Sequence, residues 1–403
     1  MTPVTVAAGQ ICYHFRPQHQ HGSMMILSAI AGIFLILLIL LDAFETVVLP
    51  RRIRRQFRLT TWFYRYTWKP WSRITSHIQS PSRRENFLGY FGPLSLIFLL
   101  MFWAFGLILG FALLQHGIGD HVHLGNERVT FWTILYMSGE TFFTLGLGDV
   151  APTSSLSRAL TVVQSGLGFA FLGVVIGYLP TIYSSFSRRE IEISLLDARA
   201  GSPPSAAELL SRFGNCPQQE VLDQILRDWE RWAAEVLESH LSYPVLSFFR
   251  SQHNNQSWLG ALTTILDATA LVIAGVDQIR PEQARITFAM ARHAVVDLSQ
   301  VVNARYDPRH PDRLSASELA RLRQSLETRG IRLREGSEAE QKLAYLRTLY
   351  EPYVLAMARN LAINLPPWIH SDKKRDNWQA GPWDRAIKER TAMEHTPAVE
   401  EHF

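Results

Sequence analysis

Residues 144–149 read Thr144-Leu145-Gly146-Leu147-Gly148-Asp149, and they follow directly on residues 130–143, TFWTILYMSGETFF. The upstream stretch has helical character and begins with Thr130, a capping-type residue. The six residues after it carry glycine at alternate positions, and glycine visits positive φ at no steric cost. A backbone whose φ alternates in sign turns successive carbonyls to one side. A ring of such oxygens can replace the water shell of a dehydrated cation. Thr144 adds a hydroxyl at one end of the row. The preceding helix would aim its negative carboxyl end at the same place, which favours a cation.

The flanks decide what this motif means. Residues 91–115 and 160–182 are uncharged apolar runs, one before the motif and one after. A third run covers residues 26–41 and extends to Leu49 if Asp42 and Glu45 are admitted near its end. A membrane-spanning helix needs about 20 apolar residues, so each run qualifies. A cleavable signal peptide is the rival reading of the first run. Only Arg16 precedes it and a dense arginine cluster follows, which is the wrong charge order for a signal. Irregular backbone at membrane depth is tolerated only where it is buried in protein or lines a water-filled path. A short helix and an extended Gly-x-Gly strand between two spans therefore predict a re-entrant pore loop. A plain turn between helices is the alternative for Gly146-Leu147-Gly148.

Charge sets the expected topology. Residues 50–85 hold Arg51, Arg52, Arg54, Arg55, Arg58, Arg65, Lys69, Arg73, Arg83 and Arg84. By the positive-inside rule this loop and the carboxyl-terminal half are cytoplasmic, and the amino terminus and residues 116–157 face outside. The same loop interleaves Trp62, Phe63, Tyr64, Tyr66, Trp68 and Trp71. Basic plus aromatic suits nucleic acid, but beside two spans it reads as an interfacial segment on anionic lipid between Arg51 and Arg84. Asp42 and Glu45 are expected to pair with these arginines, with a gating role as the sharper alternative.

With these residues in view, the chain resembles the potassium-channel pore superfamily. That family's filter reads Thr-Val-Gly-Tyr-Gly-Asp. Thr144, Gly146, Gly148 and Asp149 match it position for position, with Leu145 and Leu147 replacing valine and tyrosine. Glu140-Thr141 resembles the Glu-Thr at the pore-helix end of some bacterial members, where the glutamate shares a proton or water with the filter aspartate. Trp132 resembles the family's pore-helix tryptophan. The likeness covers residues 91–187, about a quarter of the chain, and implies a bacterial one-pore-loop subunit, with an ion-channel domain similar to two-pore-domain channels. It implies K+ as permeant ion and an ion-selectivity filter formed by Thr144, Leu145, Gly146, Leu147, Gly148 and Asp149, supported by Glu140, Thr141 and Trp132. One pore loop cannot encircle an ion, so a homotetramer is implied. The family tyrosine braces the filter through its hydroxyl, and Leu147 cannot. Leucine or phenylalanine stands there in some eukaryotic two-pore-domain subunits. A weakly selective cation channel is thus one alternative, and a non-conducting membrane sensor or scaffold is another.

The run at 160–182 would line the pore. Gly166, Gly173 and Gly177 lie in it and Pro180 near its end, so these are hinge candidates, with close helix packing as the rival explanation. Gly166-Leu167-Gly168 lacks a preceding pore helix and a following Asp, and reads as packing or flexibility rather than a second filter. No run carries the repeated arginines of a voltage sensor. His116, His121 and His123 read as solvated loop residues, with a proton or metal sensor as the alternative. His14, His19 and His21 belong to a floppy tail ahead of Met24 and Met25, either of which makes a natural start. A metal site there is the lesser reading.

Beyond residue 187 the character changes. Of the first 187 residues 20 are charged, 13 basic and 7 acidic, against 56 of the remaining 216. The second proportion is ordinary for a water-soluble domain and the first is not. Capping-box spacings recur at Ser205 with Glu208, Ser315 with Glu318 and Ser337 with Glu340. Val221, Leu222, Ile225, Leu226, Trp229, Trp232, Ala233 and Val236 share one helical face. Residues 259–276 are apolar around Asp267, a core helix or a fourth span. Helices are expected over 281–303 and 338–363. Gly201-Ser202-Pro203-Pro204 marks a linker. No Gly-x-Gly-x-x-Gly phosphate loop, catalytic triad or metal-spaced pair appears, so no enzyme is expected. His293 and His310 stand singly and read as structural. The separated Cys12 and Cys216 exclude a disulfide framework.

The expectation is an all-α membrane protein of three transmembrane helices with a re-entrant pore loop, followed by an all-α cytoplasmic bundle. Its order is a disordered extracytoplasmic tail (1–24), a first transmembrane helix (25–49), the basic aromatic segment (50–90), the pore module (91–187), a cytoplasmic helical domain (188–369) and a polar tail (370–403). The helical domain would hold the tetramer together, or sense an unidentified cytoplasmic ligand and pull on the third span. The family resemblance suggests a bacterial inner membrane.

Overall fold

The computed structural model describes residues 19–49, 58–119, 122–123, 128–213, 219–253, 255–277, 279–308, 310–370 and 383. The chain is mainly helical and forms two compact units. The first comprises Met1–Leu49, Arg58–Thr60 and Phe98–Tyr178, and the second Pro50–Phe57, Thr61–Ile97 and Leu179–Phe403. The helices are α1 (His19–Ala43), α2 (Leu59–Thr75), α3 (Pro81–Gly117), α4 (Phe131–Phe142) and α5 (Ser155–Ala200). They continue with α6 (Ala206–Ser211), α7 (Gln219–Ser242), α8 (Trp258–Gly275), α9 (Glu282–Val301), α10 (Ala316–Glu327), α11 (Ser337–Thr348) and α12 (Glu351–Leu361). The sheet is minimal: β1 (Val122–His123) pairs antiparallel with β2 (Ala151–Pro152). Among the described residues four helices, α1 with its extension to Val48, α3, α5 and α8, are long and apolar enough to cross a membrane.

In the first unit α1 and α3 pack at glycines. A Cβ on Gly32 would lie 2.6 Å from the Gly110 carbonyl oxygen, and one on Gly117 2.3 Å from the Ala29 nitrogen. Small residues let helix backbones approach this closely, and sequence reading passed over this stripe. Helix α1 ends in a π-turn over Phe44–Val48. Glu45 there pairs with Arg58 at 3.7 Å, as expected. Arg51, Arg52, Arg54 and Arg55 lie outside the described residues, and among those described no arginine pairs with Asp42. Its carboxylate accepts from Trp103 Nε1 at 2.9 Å, Thr60 Oγ1 at 2.6 Å and Thr60 N at 3.2 Å. Asp42 is buried, and these three donors take the place of water around it.

The core of the second unit is built on α8 and α9, flanked by α7, α11 and α12. Nearly all of α8 is buried within this unit. Asp267, fully enclosed, receives both Nη atoms of Arg313, at 3.1 and 2.7 Å, and the Tyr350 hydroxyl at 2.5 Å. A lipid-facing helix would leave its flanks open; α8 is packed by protein on all sides.

Four details differ from the sequence reading. Val221 is exposed, whereas Leu222 through Val236 form the buried face of α7 together with Leu237 and His240. Ser337 is not an N-cap: Gly336, at φ +110°, holds that place, and Glu340 pairs with Arg323 instead. The helix expected over 338–363 is two helices. The chain breaks at Tyr350, and Pro352, which has no N–H to give, sits at the start of α12. The Ser205 cap and the reciprocal Ser315–Glu318 box both form. Gly201, Ser202 and Pro204 are buried beside a cis Ser202–Pro203 bond, so this stretch is packed structure rather than an open linker.

Candidate functional site

The site is built at the carboxyl end of α4. Thr130 caps its start: the Thr130 hydroxyl accepts from Thr133 N, and the Thr133 hydroxyl accepts from Thr130 N in return. At the other end three amides fold back onto the helix. Phe143 N donates to Gly139 O at 3.0 Å, Thr144 N to Thr141 O at 3.1 Å and Leu145 N to Glu140 O at 2.9 Å. The chain then changes conformation. Thr144 has φ +57°, Gly146 +64° and Gly148 +79°, with Leu145 and Leu147 outside that region. For Thr144 the left-handed region costs of the order of 1–3 kcal/mol, and such strain persists only where the surroundings impose it. The run from Phe143 to Asp149 is exposed in the single chain, with Leu145 at 63% and Leu147 at 67%.

Glu140 is buried behind this strand. Its Oε1 accepts from Leu147 N in a short contact and from Gly148 N at 3.2 Å, while Oε2 has no partner among the described residues. The glutamate is therefore tied to the strand through backbone amides. The Asp149 carboxylate interacts with Tyr136, one turn up α4. Trp132 is 75% exposed, and its ring lies beside that of Phe131. Thr141 contributes its carbonyl to the turn.

A second set of residues holds α4 in place, and the sequence reading named none of them for this role. Ser138 Oγ donates to Ile108 O at 2.7 Å. Gln164 Nε2 donates to Ser138 O at 2.9 Å and to Ser138 Oγ at 2.6 Å. Both side chains are buried. Gln115 makes a parallel link, donating to Ser157 O at 3.2 Å while its Oε1 accepts from Ser157 Oγ at 2.7 Å. A Cβ on Gly168 would stand 2.0 Å from the Phe142 carbonyl oxygen, so α5 presses directly on the end of α4 there. Polar residues inside an apolar run were the available signal: Gln115, Gln164 and Ser138 interrupt otherwise hydrophobic stretches.

The glycines of α5 fall into two kinds. Gly168 is a packing residue. Gly166, Gly173 and Gly177 have open space where a side chain would stand, so close packing within one chain does not account for them. Helix α5 runs through Pro180 without interruption. His116, at the end of α3, meets the Phe131 ring edge-on; His121 lies outside the described residues, as do Cys12, Cys216 and His14. The side chains of His19 and His21 are likewise outside them. Among the described residues no group of three His, Cys, Asp or Glu side chains is placed to hold a metal ion.

Comparison with known proteins bears on the same region. The family described as "Ion channel" matches residues 97–184, which run from α3 through α4 and the 144–149 strand into α5. An "Uncharacterized membrane protein YdjJ" from Bacillus subtilis (strain 168) is 23% identical over 242 residues, covering 58% of this chain and 68% of the relative. That likeness is longer than the ion-channel match and therefore includes residues outside it. No solved structure matches the chain. Residues 97–184 are thus similar to an ion channel domain, and the chain carries helices long and apolar enough to cross a membrane.

Proposed function

We propose that four copies of the chain form a potassium-selective pore, with residues 144–149 as its filter. The observation that carries this reading is the alternation of left-handed backbone at Thr144, Gly146 and Gly148. That alternation is what a ladder of carbonyls facing one axis requires, and it starts at Thr144, the left-handed residue that ends α4, and continues through Gly146 and Gly148. Two exposed leucines flanking it support assembly, because an apolar, strained strand open to solvent calls for a cover of the same kind. Four-fold repetition supplies the cover and closes the ring around the ion.

In this reading α1, α3 and α5 cross the membrane, α4 and the strand are the re-entrant loop, and α5 lines the path. Carbonyl oxygens replace the hydration of K+, and Glu140 holds the strand from behind through the Leu147 and Gly148 amides. The selectivity ladder is backbone, so it survives the leucine at 147. Gly173, Gly177 and Pro180 are the places where α5 bends. The second unit, cytoplasmic by the charge rule, gates or assembles the pore, and the membrane is a bacterial inner membrane.

The test is bilayer recording of the purified chain in opposed potassium and sodium solutions. The reading predicts a reversal potential that follows the potassium gradient. A reversal at zero under equal opposed concentrations would replace selectivity with general cation leakage.

A further inference from the structure

Helix α2 has two unlike faces. Thr60, Tyr64, Trp68 and Thr75 are buried. Tyr64 stacks on Phe248 at 5.4 Å, Trp68 meets Phe91 and Phe248 at 4.8 and 5.2 Å, and Trp68 Nε1 donates to Asn360 O at 2.8 Å. The other face repeats at helical spacing and is exposed: Trp62, Arg65, Tyr66, Lys69 and Arg73. Trp62 and Tyr66 lie together there, ring centroids 5.6 Å apart. The helix contains no Asp or Glu, and none of Arg65, Lys69 and Arg73 has an ion-pair partner among the described residues.

We infer that this face binds the headgroups of anionic phospholipids. Three unneutralised cations on one stripe call for negative charge. The paired Trp and Tyr beside them favour a headgroup layer over an acidic protein, because these rings place an apolar body and a polar edge at the membrane–water boundary. The position along the chain agrees: α2 stands between α1 and α3, each long and apolar enough to span a bilayer. Lipid phosphates engage Arg65, Lys69 and Arg73 while the opposite face keeps its hold on Phe248 and Asn360. The lipid surface thus grips the helical unit through a single helix. This inference rests on the membrane placement in the proposed function and is independent of conduction.

The test uses the full chain in nanodiscs of phosphatidylcholine and phosphatidylglycerol, with bromine quencher placed on one lipid or the other at equal mole fraction. The Trp62 signal is the difference between the wild type and Trp62→Phe. The expected result is at least twofold stronger quenching of that signal by brominated phosphatidylglycerol, with the preference falling to about one in R65Q/K69Q/R73Q. All three replaced residues are exposed, so their replacement leaves the buried face of α2 intact. A wild-type ratio near one, an unquenched Trp62, or a preference retained in the triple variant would overturn the proposal. Quenching does not depend on ion flow, so a non-conducting pore leaves this result readable.

Discussion

Gly168 and Gly166 are two residues apart in the same helix and predict opposite outcomes. A methyl group at Gly168 collides with the Phe142 carbonyl, and backbone cannot yield as a side chain can. Gly168→Ala is expected to destabilise the protein by about 1–3 kcal/mol, the range for overpacking, read as a lower melting temperature in detergent. Gly166→Ala meets open space and removes a poor helix former, so it is expected to stabilise by up to about 1 kcal/mol. Equal melting temperatures for the two variants would contradict this assignment. Ser138→Ala strips a fully buried Gln164 of its hydroxyl partner and is expected to cost about 1–3 kcal/mol by the same measurement. Gly146 and Gly148 were legible in the sequence because alternate glycines after a short helix and between two apolar runs suit an alternating backbone. For Gly168 packing was one of two readings but its partner Phe142 was not legible, and the role of Gln164 was not legible at all, since both depend on which neighbour each one meets.

Helices α7 and α8 show the same division between pattern and partner. The apolar stripe of α7 is visible in sequence. The buried His240 at its end, whose Nδ1 faces Val236 O at 2.8 Å and whose Nε2 faces Arg189 Nη1 at 3.2 Å, is not. Burial, reinforced by the Arg189 guanidinium, holds His240 well below the usual histidine range. Folding therefore favours the neutral ring, with Nδ1–H donating and Nε2 accepting. The unfolded chain takes up the proton first, from about pH 6.5 downward. Stability is full above that value and falls as pH drops toward the folded-state value, by at most about 1.4 kcal/mol per pH unit for one proton. Melting temperature measured from pH 8 to pH 5 is expected to fall in the wild type and to fall less in His240→Gln. Parallel curves would contradict it. In α8 composition left a core helix and a span both open, and the bidentate Arg313–Asp267 pair supports the core helix. Asp267→Ala takes the bidentate partner from the buried Arg313, leaving it Glu351 at 3.4 Å and the Pro366 carbonyl, and is expected to cost about 3 kcal/mol in denaturant unfolding, the low end for breaking a buried pair. Asp267→Leu with Arg313→Met together is expected to cost less, because no charge is left without its partner. The break at Tyr350 escaped notice because the apolar pattern continues across it and only Pro352 marks the turn.

At the scale of the molecule, three apolar runs, one strand of alternating glycines and a charge-rich second half were legible from composition and order alone. Contacts that depend on three-dimensional neighbours were not: the α1–α3 glycine stripe, the donors around Asp42, and the route of α5 unbroken through Pro180 into the second unit. Assembly is the property that a single chain only implies, through Leu145, Leu147 and a strand left open. Native mass spectrometry of the detergent-purified protein is expected to give four chains; a monomer alone would leave the strand with nothing to close it. Conduction is the central claim. The most direct measurement is potassium flux from proteoliposomes, comparing the wild type with Gly146→Ala. Alanine at φ +64° costs about 1–2 kcal/mol per chain, four times over in a tetramer. The predicted result is potassium efflux from the wild type and its loss in the variant, with the tetramer retained. A wild-type tetramer that passes no potassium, or a variant that passes it equally well, would contradict the account.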